Sequence, residues 1–173
     1  TIESYAFKNC AGLTEVLLPD GVVELKYGIF EGCNNIAKLA YPADIVLGSL
    51  FTAENPENDN IWYLAEQNGV RYYLPVALKE VIVTNTVNAV ADYAFANCVN
   101  IKKVTLATPS SDKPYTEIIG DFAFAGTGIS SGTEVQQIEV NLANVRTIGN
   151  YAFQNSTITS VAFDSLSKFG IGA

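Results

Sequence analysis

Histidine and methionine are both absent from this chain of 173 residues, tryptophan occurs once and cysteine three times. Without histidine the common zinc sites of His or Cys/His type are unavailable, and no serine or cysteine can be activated by a neighbouring imidazole. Basic residues are scarce as well, 10 against 18 acidic ones for a net charge of −8, and no basic cluster interrupts that balance. Such a surface is a poor footprint for nucleic acid or an anionic membrane, and its plainest effect is solubility. No apolar run approaches the roughly 18 residues of a membrane-spanning helix, and no basic, apolar leader is present. Charged residues are only 16% against 49% hydrophobic, which excludes disorder and leaves enough apolar side chain for a sizeable core.

Acidic residues could still do chemistry in pairs. The nearest in sequence, Glu54, Glu57 and Asp59, stand in the polar stretch 54–60. Their spacing lacks the ordered ligand pattern and final glutamate of a calcium loop, and nothing places two of them across a glycosidase pocket. Gly126, Gly128 and Gly132 form no nucleotide-binding fingerprint. The chain is therefore read as having no catalytic residue, no metal and no cofactor, and as not being an enzyme.

Repetition is what the chain has in abundance. The phrase Ile148-Gly149-Asn150-Tyr151-Ala152-Phe153 returns in near copies that end at Phe7, Phe30, Phe51, Phe95 and Phe124, each phenylalanine five places after an Ile, Leu or Val. Behind it, Cys10, Leu13, Val16 and Leu18 stand at the same four offsets as Cys33, Ile36, Leu39 and Tyr41, and as Cys98, Ile101, Val104 and Leu106. The steps Val16/Leu18, Val81/Val83, Val104/Leu106, Ile138/Val140 and Val161/Phe163 have the two-residue period of a strand that buries one face. One short strand per 20 to 30 residues encloses no core alone, so successive turns must stack, with their strands in a parallel sheet and the phenylalanines filling the interior between layers.

The pattern carried by Ile2, Ala6, Phe7, Cys10, Leu13, Val16, Leu18 and Pro19 resembles the bacterial surface-antigen, or BspA-like, type of leucine-rich repeat. The segment with Tyr73, Leu74, Pro75, Leu78 and Val81 resembles a variant turn of that family. The resemblance implies an α/β-type solenoid, a leucine-rich-repeat stack with one short parallel strand per turn and an irregular opposite side. It covers essentially residues 1–173, taken as a single domain with insertions near 52–77 and 107–117. The chain begins at Thr1 inside one repeat and ends at Ala173 inside another, so it is read as a piece of a longer protein whose adjoining repeats cover its ends.

Between 52 and 77 the apolar runs 61–64 and 72–74 flank Asn68-Gly69, a strong hairpin signal, and a hairpin projecting from the stack is expected. Cys10, Cys33 and Cys98 share one repeat offset and read as small, free, buried thiols, with a Cys10–Cys33 disulfide as the lesser alternative.

Two surfaces compete as recognition sites. One is the exposed strand column Leu17, Ala40, Ile82, Thr105, Glu139 and Ala162, flanked by Glu15, Lys38, Glu80, Lys103, Gln137 and Ser160. The other is an aromatic platform of Trp62, Tyr63, Tyr72 and Tyr73, residue types frequent in recognition surfaces; it is the lesser alternative to these rings packing the hairpin back onto the solenoid. By resemblance the chain is a recognition or adhesion module, extracellular or on the cell surface. Its expected partner is a host or cell-surface protein, with a glycan second and neither nucleic acid nor membrane insertion. The competing reading is a spacer that presents another domain.

Overall fold

The computed structural model describes residues 1–19, 21–22, 24–42, 45, 47–51, 62–67, 70–84, 89–106, 118–128, 139–140, 142, 145–159, 163 and 166–173, with backbone alone for 62–67, 70–71, 89 and 139. In chain order the elements are β1 (Glu15–Leu17), β2 (Lys38–Tyr41), α1 (Leu47–Leu50), β3 (Trp62–Gln67), β4 (Val70–Pro75), β5 (Glu80–Val83) and β6 (Ala89–Val90). They continue with β7 (Lys103–Leu106), β8 (Ile118–Ile119), β9 (Glu139–Val140), β10 (Thr147–Ile148) and β11 (Lys168–Phe169). The apolar alternations build a five-stranded parallel sheet in the order β1-β2-β5-β7-β9. The first residues of the phrases build a second parallel sheet, β11-β10-β8-β6, and Ile2 bridges Leu25 in the same parallel sense.

The remainder of the turn is therefore not the irregular side that the resemblance implied. It is hydrogen-bonded from layer to layer even through its bends. Tyr93, Phe95 and Asn97 donate their backbone N–H groups to the carbonyls of Asp121, Ala123 and Ala125, and Phe122, Phe124 and Gly126 repeat the pattern onto Asn150, Ala152 and Gln154. Stacked turns satisfy each other's backbone groups as sheet neighbours do, which lets a bend lie against the core without orphaned donors. Helix is nearly absent among the described residues: α1 is a single turn, formed where Ser49 and Leu50 stand in place of the usual Tyr-Ala.

The interior is a set of columns. Val16, Leu39, Val81, Val104 and Val140 lie in one register row across the five strands. Phe7 and Phe30 stack at 5.5 Å, Phe95 and Phe124 at 5.4 Å, and Phe124 and Phe153 at 5.5 Å between ring centroids. Phe30, Phe51, Phe95 and Phe124 are buried, as are Ala94, Ala123 and Ala152 beside them. The rings fill the space between layers, while the alanine methyl is short enough for the neighbouring chain to close over it.

One register differs from the sequence reading. Val140 pairs with Val104, the first inward position of its strand, and Leu142 is buried two residues later. The inward pair of this turn is thus Val140/Leu142 and not Ile138/Val140. A shift of two residues preserves strand parity, so alternation cannot distinguish the two choices. Ile138 lies outside the described residues.

The hairpin is present, β3 pairing antiparallel with β4 from Trp62↔Pro75 to Gln67↔Val70. Its second strand does not simply project, because Tyr72 and Leu74 are fully buried and the Tyr72 hydroxyl donates to the Ala94 carbonyl at 2.8 Å. Tyr41 and Phe95 also meet here, at 6.0 Å, so β4 is stapled to the stack beside a continuous core. Asn68 and Gly69, the acidic stretch 54–60 and the segment 107–117 lie outside the described residues.

Candidate recognition surfaces

The strand face is set by register. Leu17, Ala40, Ile82 and Thr105 align across β1, β2, β5 and β7. Leu17 is 59% exposed, Ile82 and Thr105 are half-buried, and Ala40 is only 5% exposed. The short methyl of Ala40 sits between the longer Leu17 and Ile82, so it offers no side-chain surface. Glu139 does not belong to this column: it pairs with Lys103, two residues from the position assigned to it by spacing. Ala162, Gln137 and Ser160 lie outside the described residues.

The corrected register completes a second column, Glu15-Lys38-Glu80-Lys103-Glu139, whose residue types alternate in sign across all five strands. Lys38 reaches Glu15 at 2.7 Å and Lys103 lies 3.9 Å from Glu80. The hydrogen bond that Lys38 donates to the Glu15 carboxylate holds its ammonium above its usual range, and the charges of Glu15 and Glu80 add to that. Exposed pairs of this kind are worth little singly. Their use is orientation, because opposite charges on neighbouring strands favour the observed register over a slipped one.

At the aromatic platform the residues part company. Tyr72 belongs to the core, Tyr73 is half-buried, and Trp62 and Tyr63 are placed by their backbone on β3. Tyr72 is claimed by the interior because its ring fills a gap beside the phrase and its hydroxyl finds a carbonyl there.

A third surface has no counterpart among the sites read from sequence. Tyr5, Tyr93, Phe122 and Tyr151 stand two places before the phrase phenylalanine, and all have positive φ, from 53° to 61°. Gly28 and Gly172 occupy the same place in their turns, also with positive φ. A side chain in this left-handed region costs on the order of 1 kcal/mol that glycine avoids. The rings recover part of it by stacking, Tyr93 on Phe122 at 4.9 Å and Phe122 on Tyr151 at 5.0 Å. One residue earlier, Asp121 donates its N–H to Asp92 Oδ1 at 2.8 Å, Asn150 to Asp121 Oδ1 at 2.6 Å, and Ile171 to Asn150 Oδ1 at 2.8 Å. The recurring Asp-Tyr, Asp-Phe and Asn-Tyr before Ala-Phe, with glycine at the aromatic place in another turn, was the sequence signal for it.

The cysteines offer no chemistry of their own. All three are free; Cys33 and Cys98 are buried, and burial pushes both thiols up from their ordinary values. The Cys33 Sγ donates to the Phe7 carbonyl at 2.9 Å. Cys10, expected inside, is exposed, because in the first turn only one neighbouring layer of this chain covers it. An aromatic disulfide reagent should therefore titrate one thiol rapidly in the native protein and all three in denaturant. Rapid native reaction of a second thiol would contradict the burial of Cys33 and Cys98.

An apolar cleft of about 230 Å³ is lined by Leu142, Ile148, Phe153, Ile158, Phe163 and Phe169 with Ser156 and Ala173. Among the described residues no titratable side chain lines it. Among the described residues no group of three or more carboxylates and thiols is gathered to hold a metal, and no helix is long and apolar enough to cross a membrane.

Compared with known families, residues 1–56 and 70–173 match the BspA type leucine rich repeat region, in six copies. The chain belongs to the BspA-type leucine-rich repeat family. The stretch without a match, 57–69, contains the first strand of the hairpin, so the insertion interrupts BspA-type repeats that resume at β4. No curated protein and no solved structure matches the chain. BspA-type repeats form repeat modules commonly found in surface proteins, and the repeat family is typically non-catalytic.

Proposed function

We propose that this chain is a non-enzymatic recognition module of a secreted or cell-surface bacterial protein, and that it engages a protein partner through the strand face. The observation that supports this reading is the face itself, where exposed Leu17 and half-buried Ile82 and Thr105 run beside the alternating charges from Glu15 to Glu139. Repetition supplies such a surface already ordered, so little entropy is lost when a partner lies along it. The apolar side chains provide contact, and the charge column sets orientation and register. A spacer role is the second reading, favoured by the internal pairing of Lys38 with Glu15, which leaves that part of the face satisfied without a ligand.

The test is an unbiased binding screen against matrix proteins, glycans and cell surfaces at physiological salt, followed by variants. For a protein ligand, the double change Leu17→Glu and Ile82→Glu should weaken binding at least about tenfold, the effect of burying unpaired charge in an apolar contact. Trp62→Ala should leave it nearly unchanged. The reverse pattern would move the site to the hairpin, and a screen without any ligand would favour the spacer.

A further inference from the structure

Across β1, β2, β5 and β7 the strand face presents three rows in register. The row just before the strands, itself hydrogen-bonded from layer to layer, is Thr14, Ala37, Lys79 and Lys102. The charge row is Glu15, Lys38, Glu80 and Lys103, and the apolar row is Leu17, Ala40, Ile82 and Thr105. A row that alternates strictly in sign becomes its own complement when its order is reversed. Laid against a reversed copy of itself, the charge row sets Glu15 opposite Lys103 and Lys38 opposite Glu80. The same reversal sets the recessed Ala40 opposite Ile82 and Leu17 opposite Thr105, so in the apolar row a larger side chain always meets a smaller one. Lys79 and Lys102, both exposed, fall opposite Ala37 and Thr14, and no like charges face each other in the three rows.

We infer that a second copy of this chain packs strand face to strand face on the first, about a two-fold axis that lies parallel to the strands between β2 and β5. This rests on the strand face being the recognition surface, and it names the partner. Other axes fail. One through a strand sets like charge against like. One between β5 and β7 sets Lys79 against Lys102 and Ile82 against Thr105, and one between β1 and β2 overlaps only two strands of each copy. In the pair, Ile82 of each copy enters the recess over Ala40 of the other, and the long Lys and Glu side chains span the roughly 10 Å between packed sheets. Lys38 and Lys103 keep Glu15 and Glu80 of their own chain at 2.7 and 3.9 Å, so each ammonium comes to lie between two carboxylates. Four strands about 4.8 Å apart and four residues long cover on the order of 250 Å² per copy, well short of the roughly 800 Å² per partner of a stable complex. The contact is therefore weak singly and strong only among copies held together. Because the axis reverses the order of the layers, the two stacks lie antiparallel, as modules reaching out from facing surfaces would.

Sedimentation equilibrium of the native chain from about 10 μM to about 1 mM at low salt should show monomer and dimer in exchange, with the dimer weakened as salt is raised. Lys38→Glu and Glu80→Lys should each weaken self-association at least about tenfold, because each sets like charges face to face at two places. Mixed in equal amounts, the two variants should dimerise with each other at near-native affinity, since every facing charge is then opposite again. A damaged fold would not be rescued in this way. Ile82→Ala, which leaves the charges untouched, should weaken the dimer about tenfold by withdrawing the side chain that fills the Ala40 recess. A native chain that stays monomeric overturns the inference, as does a dimer indifferent to all three variants or a mixture that fails to restore association. If a charge variant fails to fold by circular dichroism, Ile82→Ala decides, and unchanged association in it overturns the inference. A monomeric chain that still binds a screened ligand through Leu17 and Ile82 overturns it while leaving the strand-face reading in place; a monomeric chain whose ligand ignores those residues overturns both.

Discussion

Replacing Phe95 by alanine should cost about 3–5 kcal/mol of stability, read as a shift in the midpoint of reversible urea unfolding at constant slope. The ring is fully buried, lies 5.4 Å from Phe124 and 6.0 Å from Tyr41, and so joins the layers on both sides of the hairpin insertion. Its removal leaves a cavity in the middle of the stack, where parallel layers cannot collapse onto it without breaking their own hydrogen bonds. Phe7 provides the control. It stacks on Phe30 alone and is 43% exposed, so Phe7→Ala should cost markedly less. Equal losses at the two positions, or a loss below about 1 kcal/mol at Phe95, would show that the buried column does not carry the fold.

The second large effect should come from a single methyl group. A Cβ at Gly149 would sit 2.5 Å from Asp121 Oδ1, 2.6 Å from Asp121 N and 2.7 Å from the Gly120 carbonyl carbon. Two of those atoms are backbone of the preceding layer, so the methyl cannot be relieved by rotating a side chain. Gly149→Ala should cost about 1–3 kcal/mol, the usual range for overpacking, and should speed hydrogen exchange at Asn150, whose N–H is bonded to Asp121 Oδ1. Gly12, with nothing within 4 Å of an added Cβ, should accept alanine with little change. A silent Gly149→Ala would mean that the layers are not packed as closely as these distances describe.

The repeat was legible because stacking penalises any departure from it. A phenylalanine five places after Ile, Leu or Val, and Cys, Leu and Val at fixed distances beyond, are positions where the interior of one layer must meet the next. The second parallel sheet was not read from sequence, whereas β1, β2, β5 and β7 could be placed from these offsets alone. Glu139 could not, because seven extra residues precede its strand and a two-residue shift leaves every inward side chain inward; what distinguishes the registers is its pairing with Lys103, a contact between distant segments. Ala40 reads as exposed by parity, yet its burial depends on the lengths of its neighbours. Tyr72 fitted either a ligand platform or a ring that packs the hairpin back onto the solenoid, and the fold decides for the second by placing it in the interior, bonded to the Ala94 carbonyl. The column of Tyr93, Phe122 and Tyr151 was hidden for another reason. Positive φ at an aromatic residue is not a preference that sequence advertises, and glycine at the same offset in other turns was its only trace.

The direct pairing of β2 with β5 reaches beyond this chain's own architecture. Lys38 stands eight positions after Phe30 and Lys103 eight after Phe95, whereas Glu80 stands twenty-nine after Phe51, yet Lys38 faces Glu80 and Tyr41 faces Val83 as if nothing intervened. Length in this molecule runs in two currencies that do not exchange: layers are counted along the axis, residues around the circumference. Added chain leaves and re-enters within one layer, so novelty can accumulate laterally while the pitch stays fixed. The place in the chain between Phe51 and β5 is in that sense a grafting point already used once, where a foreign segment can be spliced in and displayed at an address defined by its rung.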